Sequence, residues 1–161
     1  MRILWISSHG GNYKSNVVKG TGGWIGALQG ILMQKRPDIE LGIAFPNWQE
    51  DDVVVEGNVT YWSIKPTIKH SILDRIKGRL GFNIGRPDEF QEKTIARLRE
   101  IIADYKPDLV HVWGVENMYS AIIPHIKDTP VVVHIQGLTS AYLYAYIPPA
   151  VSADDLVKCH S

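Results

Sequence analysis

Short apolar runs alternate along the chain with longer segments that have an apolar stripe. The runs consist mainly of Val, Ile, Leu and Trp, a composition typical of strands buried on both faces of a parallel sheet. Two further short runs on either side of Gly57 predict a hairpin. The pattern therefore predicts six strands, at residues 2–7, 39–45, 53–56, 58–64, 108–113 and 130–135.

In three of the segments between these strands, apolar residues recur at helical spacing, which predicts α-helices there. One helix is expected over 22–36, with Trp24, Leu28, Ile31 and Leu32 on the apolar stripe that faces the core, and Pro37 ends it. A second helix starts at Asp88, which forms a capping-box pattern with Gln91, and a short third helix follows at 117–127. Alternating strands and helices imply parallel strands with helices on both faces, so we expect a doubly wound α/β fold.

Composition restricts the possible partners. The 161 residues are 45% hydrophobic, and 17 basic residues balance 17 acidic ones. Zero net charge argues against broad capture of nucleic acid. The single cysteine, Cys159, cannot form a disulfide framework and fits a reducing compartment. Since no signal peptide or membrane-spanning run is visible, a cytoplasmic protein is expected.

A long glycine-containing loop, 8–21, separates the first strand from the first helix. Ligands of such folds bind beyond the carboxyl ends of the strands, where this loop lies. Gly22 and Gly23 would leave the first amides of the helix open to a phosphate or carboxylate oxygen, although a tight turn explains them as well. The third glycine of a dinucleotide fingerprint would stand at Ile25, which disfavours an oxidoreductase.

Other candidates follow later strands. His134 precedes Gly137, which permits close approach, so the imidazole could bind a sugar hydroxyl or a phosphate, or could be an ordinary core histidine. Glu116 could bind a hydroxyl or act as a base, and a plain carboxylate at a helix start fits equally. His111 is expected to pack, and His9 could face the cleft. No metal-ligand spacing is present, so a metal is not implied.

The segment 65–86 combines basic residues with an isoleucine or leucine at every fourth position. This pattern predicts a basic amphipathic helix that could contact an anionic membrane surface or a phosphorylated lipid. A solvated helix face whose isoleucines join the core is the alternative. Binding to anionic vesicles that declines with salt would distinguish the two.

Three motifs follow one another along the chain: the Gly-Gly pair at 22–23, Pro-Asp-Leu-Val-His at 107–111 and Pro-Val-Val-Val-His at 130–134. In this order they resemble the N-terminal half of glycosyltransferase family 4, a retaining family with the GT-B fold. The segments 113–116 and 135–138 are similar to those of bacterial members. The resemblance extends over 1–147 and implies a Rossmann-like domain, one half of a GT-B fold, that binds the acceptor.

The resemblance also implies roles for individual residues. Gly22 and Gly23 would approach the donor diphosphate, and His134 would contact the transferred sugar. Two candidates come from the residues themselves: Gly137 for binding the nucleotide sugar, and Glu116 at the cleft wall as a second candidate for catalysis. No separate cofactor is implied, because a nucleotide-diphosphate sugar is the co-substrate, and the acceptor would be a carbohydrate or a lipid-linked sugar of polysaccharide biosynthesis. Trp113 replaces a residue that is often polar in the family.

In the family a second domain carries the paired-glutamate donor motif, and such a domain does not fit after residue 147. We therefore expect 148–161 to be the start of a linker or a tail, in a shortened protein or a degenerate reading frame that is inactive alone. The alternative is a stand-alone flavodoxin-like ligand-binding or interaction module without catalysis, which predicts a closed surface at 138–161.

Overall fold

The computed structural model describes residues 1–14, 23–65, 87–115, 118–135 and 137, with the backbone alone for 87–90. Nine helices and strands lie within these ranges, in an alternation close to the predicted one. In chain order they are β1 (Arg2–Ile6), α1 (Gly23–Lys35), β2 (Glu40–Pro46), β3 (Asp52–Glu56), β4 (Val59–Ile64), α2 (Pro87–Tyr105), β5 (Leu109–Trp113), a 3₁₀ helix (Met118–His125) and β6 (Val131–His134).

The six described strands form one sheet in the order β3-β4-β2-β1-β5-β6. β3 runs antiparallel to β4, and every other neighbouring pair is parallel. The predicted mostly parallel, doubly wound α/β sheet is thereby confirmed, as is the hairpin at Gly57, whose φ of 59° suits a glycine turn. β1 pairs with β2 on one side and β5 on the other, so the strand order reverses beside β1, where this fold class binds ligands.

Two hydrophobic cores cover the two faces of the sheet. Alternation along β1 sends Ile3 and Trp5 to one face and Leu4 and Ile6 to the other. α1 covers the first face through Ile25. The second core contains residues of α2, β5 and the 3₁₀ helix, namely Leu98, Ile101, Val110, Val112 and Ile122. The carboxyl edge of the sheet is consequently bordered by elements from both layers.

The buried face of α1 differs from the predicted stripe. Ile31, expected to be buried, is exposed, while Gln29 is buried. The Gln29 amide donates to the Tyr61 hydroxyl at 2.5 Å and accepts from the Asn12 backbone N–H at 2.9 Å. A polar side chain is thus stable inside the core because both ends of its amide are satisfied, and apolar periodicity alone misses such a residue.

The start of the second helix and the type of the third also differ from expectation. α2 begins at Pro87, so Asp88 lies within the first turn of the helix and not before it. Proline is favoured at this first position, where its missing N–H would have no intrahelical partner anyway. The third helical segment is a 3₁₀ helix and contains Pro124, which cannot donate a helical hydrogen bond. Among the described helices, none combines the length and apolarity needed to cross a bilayer.

Candidate functional site

The start of α1 meets the end of β5 at the carboxyl edge of the sheet. Gly23 opens the helix with φ of 42°, a conformation that side chains rarely adopt, and a Cβ built there would meet no atom within 4 Å. The next residue, Trp24, places its ring 5.0 Å from that of Trp113. Trp24 is 47% exposed and does not belong to the core, contrary to the sequence-based expectation. About half of the Trp24 surface therefore stays accessible to solvent beside the helix start.

His134 completes this arrangement from the neighbouring strand. Its ring lies 5.0 Å from Trp113 and 5.8 Å from Trp24, and the residue is exposed. Pairing of β5 with β6 sets this position, because Trp113 is the register partner of His134 and the Gly114 N–H donates to the His134 carbonyl at 2.8 Å. Gly23, Trp24, Trp113 and His134 are called the His134 edge below. It joins two sequence-predicted site residues, Gly23 and His134.

Beneath the edge lies a stack of rings. His111 and Trp113 are stacked with ring centroids 3.8 Å apart, and Trp113 is only 5% exposed. Among the described residues, neither His111 Nε2 nor Trp113 Nε1 has a hydrogen-bond partner, although both atoms are buried. Burial lowers the pKa of His111, and the nearby His134 lowers it further. His111 is therefore neutral at pH 7 and supports the edge by packing.

The remaining predicted site residues divide in two. Gly137 is described and half-buried, two residues beyond the exposed Ile135. Gly22 and Glu116 lie outside the described residues, as do the closed surface expected at 138–161 and all of the basic segment except Lys65. The roles assigned to these residues and the membrane contact of 65–86 stay predictions.

A pocket of about 380 Å³ lies at the carboxyl ends of β1 and β2, on the other side of the switch point. It joins the first residues of the long loop to the turn that follows β2, and we call it the Lys14 pocket. Its lining is Ser8, His9, Gly10, Gly11, Tyr13, Lys14, Phe45, Pro46, Asn47, Trp48, Gln49 and Glu50.

Two glycines let the loop lie close to its neighbours in this pocket. A Cβ at Gly10 would come within 2.7 Å of the Phe45 ring. Gly11 has φ of 58°, and its Cβ would come within 2.5 Å of Gln29 Oε1. Asn12 then fastens the loop to α1, since its side-chain amide donates to the Gly26 carbonyl at 3.0 Å. This part of the loop is a fixed wall of the pocket.

An ion cluster closes one side of the Lys14 pocket. Lys14 Nζ lies 2.6 Å from Glu50 Oε1 and 3.1 Å from Asp52 Oδ2, and the Tyr13 hydroxyl donates to Glu50 at 3.0 Å. These contacts raise the pKa of Lys14 and lower the pKa of both carboxyls, so all three groups are charged at pH 7. Two carboxylates against one ammonium leave the cluster with an excess negative charge.

A second pocket, of about 630 Å³, lies at the opposite end of the strands. α2 residues Arg99 and Ile102 face Asp128 and Thr129 across it, just before β6 begins. Ligands of parallel α/β sheets bind at the carboxyl edge. The larger volume therefore does not make this pocket the candidate site.

Sequence reasoning located the long loop as a place for a site but missed Lys14, Glu50 and Asp52. The ion pair joins residues 36 positions apart, and only the pairing of β2, β3 and β4 brings them together. One local signal was available: Gly10-Gly11-Asn12 stands three residues beyond the end of the buried strand β1, and such a tripeptide favours a turn with positive φ.

No protein-family model and no curated protein sequence matches the chain. Among solved structures, the sucrose-phosphate synthase of Thermosynechococcus elongatus is similar, with a TM-score of 0.57 at 12% sequence identity. The match covers 96% of this chain and 38% of the synthase chain. At this identity the likeness shows the fold alone: the chain has a Rossmann-like α/β fold like that of a glycosyltransferase domain, and it spans less than two fifths of its neighbour.

Proposed function

We propose that the chain is the acceptor-side half of a retaining glycosyltransferase, which moves a sugar from a nucleotide-diphosphate donor to a hydroxyl of the acceptor. The observation that carries the proposal is the His134 edge. There a helix start with an open glycine and an exposed histidine share the carboxyl edge of a sheet whose fold is like that of a glycosyltransferase. The motif resemblance at 22–23 and 130–134 supports the same function.

The proposed chemistry assigns the helix start to the departing diphosphate. Amides at Gly22 and Gly23, with no side chain in the way, would face its oxygens, and the helix dipole favours negative charge there. His134 would donate a hydrogen bond to the transferred sugar, and Trp24 beside it would exclude water from one side. Glu116 would bind an acceptor hydroxyl at the cleft wall.

Charge on the leaving diphosphate needs partners on both sides of the cleft. We therefore expect this chain alone to bind nucleotide sugars weakly, at millimolar concentration, and to transfer nothing. The donor sugar and its nucleotide are open, so both uridine and guanosine diphosphate sugars belong in the test.

The test is a titration of the ¹⁵N-labelled chain with UDP-glucose and GDP-mannose, followed by NMR. We expect shifts at Gly23 and Trp24 and at the His134 ring. His134→Ala should weaken the response, whereas His125→Ala, which removes an exposed histidine of the 3₁₀ helix, should not. An unchanged response in His134→Ala, or tight NAD binding, would contradict the proposal. No response to any nucleotide sugar would favour the stand-alone binding module.

A further inference from the structure

The Lys14 pocket has the features of a site for a small polar ligand. Its volume of about 380 Å³ lies at the low end of the range for small-molecule sites, roughly 300–1,000 Å³. Phe45 and Tyr13 supply an apolar floor, with ring centroids 5.0 Å apart. Polar side chains, Lys14 and Glu50 among them, line the same pocket. The pocket therefore offers both apolar and polar contacts to a ligand.

Trp48 stands at the rim with 68% of its surface exposed. The turn that carries it is fixed, because the Asn47 N–H donates to the Ile64 carbonyl at 2.8 Å and the Gln49 N–H donates to Asn47 Oδ1 at 3.1 Å. A large exposed aromatic ring on a fixed turn offers an electron-rich face to C–H groups that carry partial positive charge. The C–H face of a sugar ring is such a surface.

The ion cluster determines which polar groups are accepted. Glu50 and Asp52 occupy two of the three N–H donors of Lys14, and together they outweigh its charge. A hydroxyl can donate to a carboxylate and accept from Lys14 at the same time, because it carries both functions. A phosphate dianion only accepts hydrogen bonds, so it cannot donate one to a carboxylate. The excess negative charge of the cluster also repels it.

We propose that the Lys14 pocket binds an uncharged sugar ring, stacked on Trp48 and held through its hydroxyls by Lys14 and Glu50, and that it discriminates against phosphorylated sugars. That this ring belongs to the acceptor rests on the proposed function. Sugar binding itself does not, since it requires neither a nucleotide nor transfer.

The test is saturation-transfer NMR on the full chain with the methyl glycosides of glucose, galactose and mannose, and with the three corresponding hexose 6-phosphates. We expect at least one methyl glycoside to bind, and its phosphorylated counterpart to bind about fivefold or more weakly. Trp48→Ala should weaken the glycoside about three- to tenfold and Trp48→Phe less. Val55→Ala, at an equally exposed position on β3, should change nothing.

Glu50→Gln separates charge from shape, because it removes the excess negative charge and keeps the size of the side chain. It should narrow the preference for the glycoside over the phosphate. Failure of all three glycosides to bind, equal binding of a phosphate, or an unchanged affinity in Trp48→Ala would overturn the proposal. The proposed function is tested separately, by the titration with nucleotide sugars and by His134→Ala. Neither measurement involves the Lys14 pocket, so the two proposals can fail independently.

Discussion

At the residue scale, Lys14 combines an unfavourable backbone with a favourable side chain. Its φ of 44° lies in the left-handed region, which costs an L-residue about 1–2 kcal/mol. The ion pairs with Glu50 and Asp52 hold it there. Non-glycine residues in this region concentrate at functional sites, where the surrounding structure maintains them. The position of Lys14 in the pocket wall agrees with that tendency.

Two variants of Lys14 separate backbone strain from the ion pairs. Lys14→Ala and Lys14→Gly both lose the pairs, but only glycine relieves the strain. We expect Lys14→Gly to be more stable than Lys14→Ala by about 0.5–1 kcal/mol, after the greater chain entropy of glycine is subtracted. Urea denaturation measures the difference. If Lys14→Ala were as stable as Lys14→Gly or more stable, the left-handed backbone at residue 14 would not be strained.

His111 gives a prediction for pH dependence. Its pKa is lowered in the folded state, mainly by burial, from an unfolded value near 6.5. As pH falls below about 6.5, the unfolded chain binds more protons and the folded state loses stability, whereas above that pH His111 has no effect. The melting temperature should thus fall less between pH 7 and pH 5 in His111→Phe than in the parent. Parallel curves would mean that His111 is solvated in the folded protein.

At the element scale, the sequence specified which segments become strands and helices but not which side of a helix is buried. The strands were predictable because buried parallel strands are apolar almost throughout, as at residues 41–45 of β2. In α1 the prediction failed at Gln29 and Trp24. Gln29 is buried because it forms hydrogen bonds with Asn12 and Tyr61, which are distant in sequence. Trp24 contacts Trp113 at the end of β5, where the sheet stops, and about half of its surface stays exposed. Neither partner can be identified from helical periodicity.

Two glycines of α1 provide a matched comparison for the contact between loop and helix. A Cβ at Gly30 would meet no atom within 4 Å, whereas a Cβ at Gly26 would come within 2.7 Å of Asn12 Oδ1. Gly30→Ala should stabilise the protein by about 0.5–1 kcal/mol through helix propensity. In Gly26→Ala the same stabilisation should be cancelled, because the Asn12 side chain must move and its hydrogen bond to the Gly26 carbonyl breaks.

Urea denaturation of both variants decides whether the loop is fastened to the helix as described. The expected difference between Gly30→Ala and Gly26→Ala is about 1 kcal/mol or more. Equal stabilisation by the two substitutions would show that residues 10–14 do not pack against α1 in solution. The Lys14 pocket would then lack one of its walls.

At the scale of the whole molecule, the strand order places two candidate sites on one edge. The loops after β1 and β2 form the Lys14 pocket, while the ends of the neighbouring strands β5 and β6 contribute to the His134 edge. Sequence alternation predicted parallel strands but contained no information about this order. The ion cluster was invisible for the same reason, since the chain must pair β2 with β4 and β4 with β3 before Glu50 and Asp52 approach Lys14.

The outer strand β3 is one of the two edges at which the described sheet could pair with another molecule. Val53 and Val55 are exposed on one of its faces, and Val54, on the other, packs against the core. Exposed apolar edge strands are sites of self-association, which a lysine prevents. Val55→Lys should therefore reduce concentration-dependent association in analytical ultracentrifugation and leave stability within about 0.5 kcal/mol.

Val54→Lys is the matched control, because it places the same charge one residue away on the buried face. It should destabilise the protein by about 2 kcal/mol or more, since apolar area is lost and a charge is forced towards the core. A shift of one residue in the pairing of β3 with β4 exchanges the two faces. If Val55→Lys proved the damaging variant, β3 would pair in that other register, and Asp52 would no longer point towards Lys14.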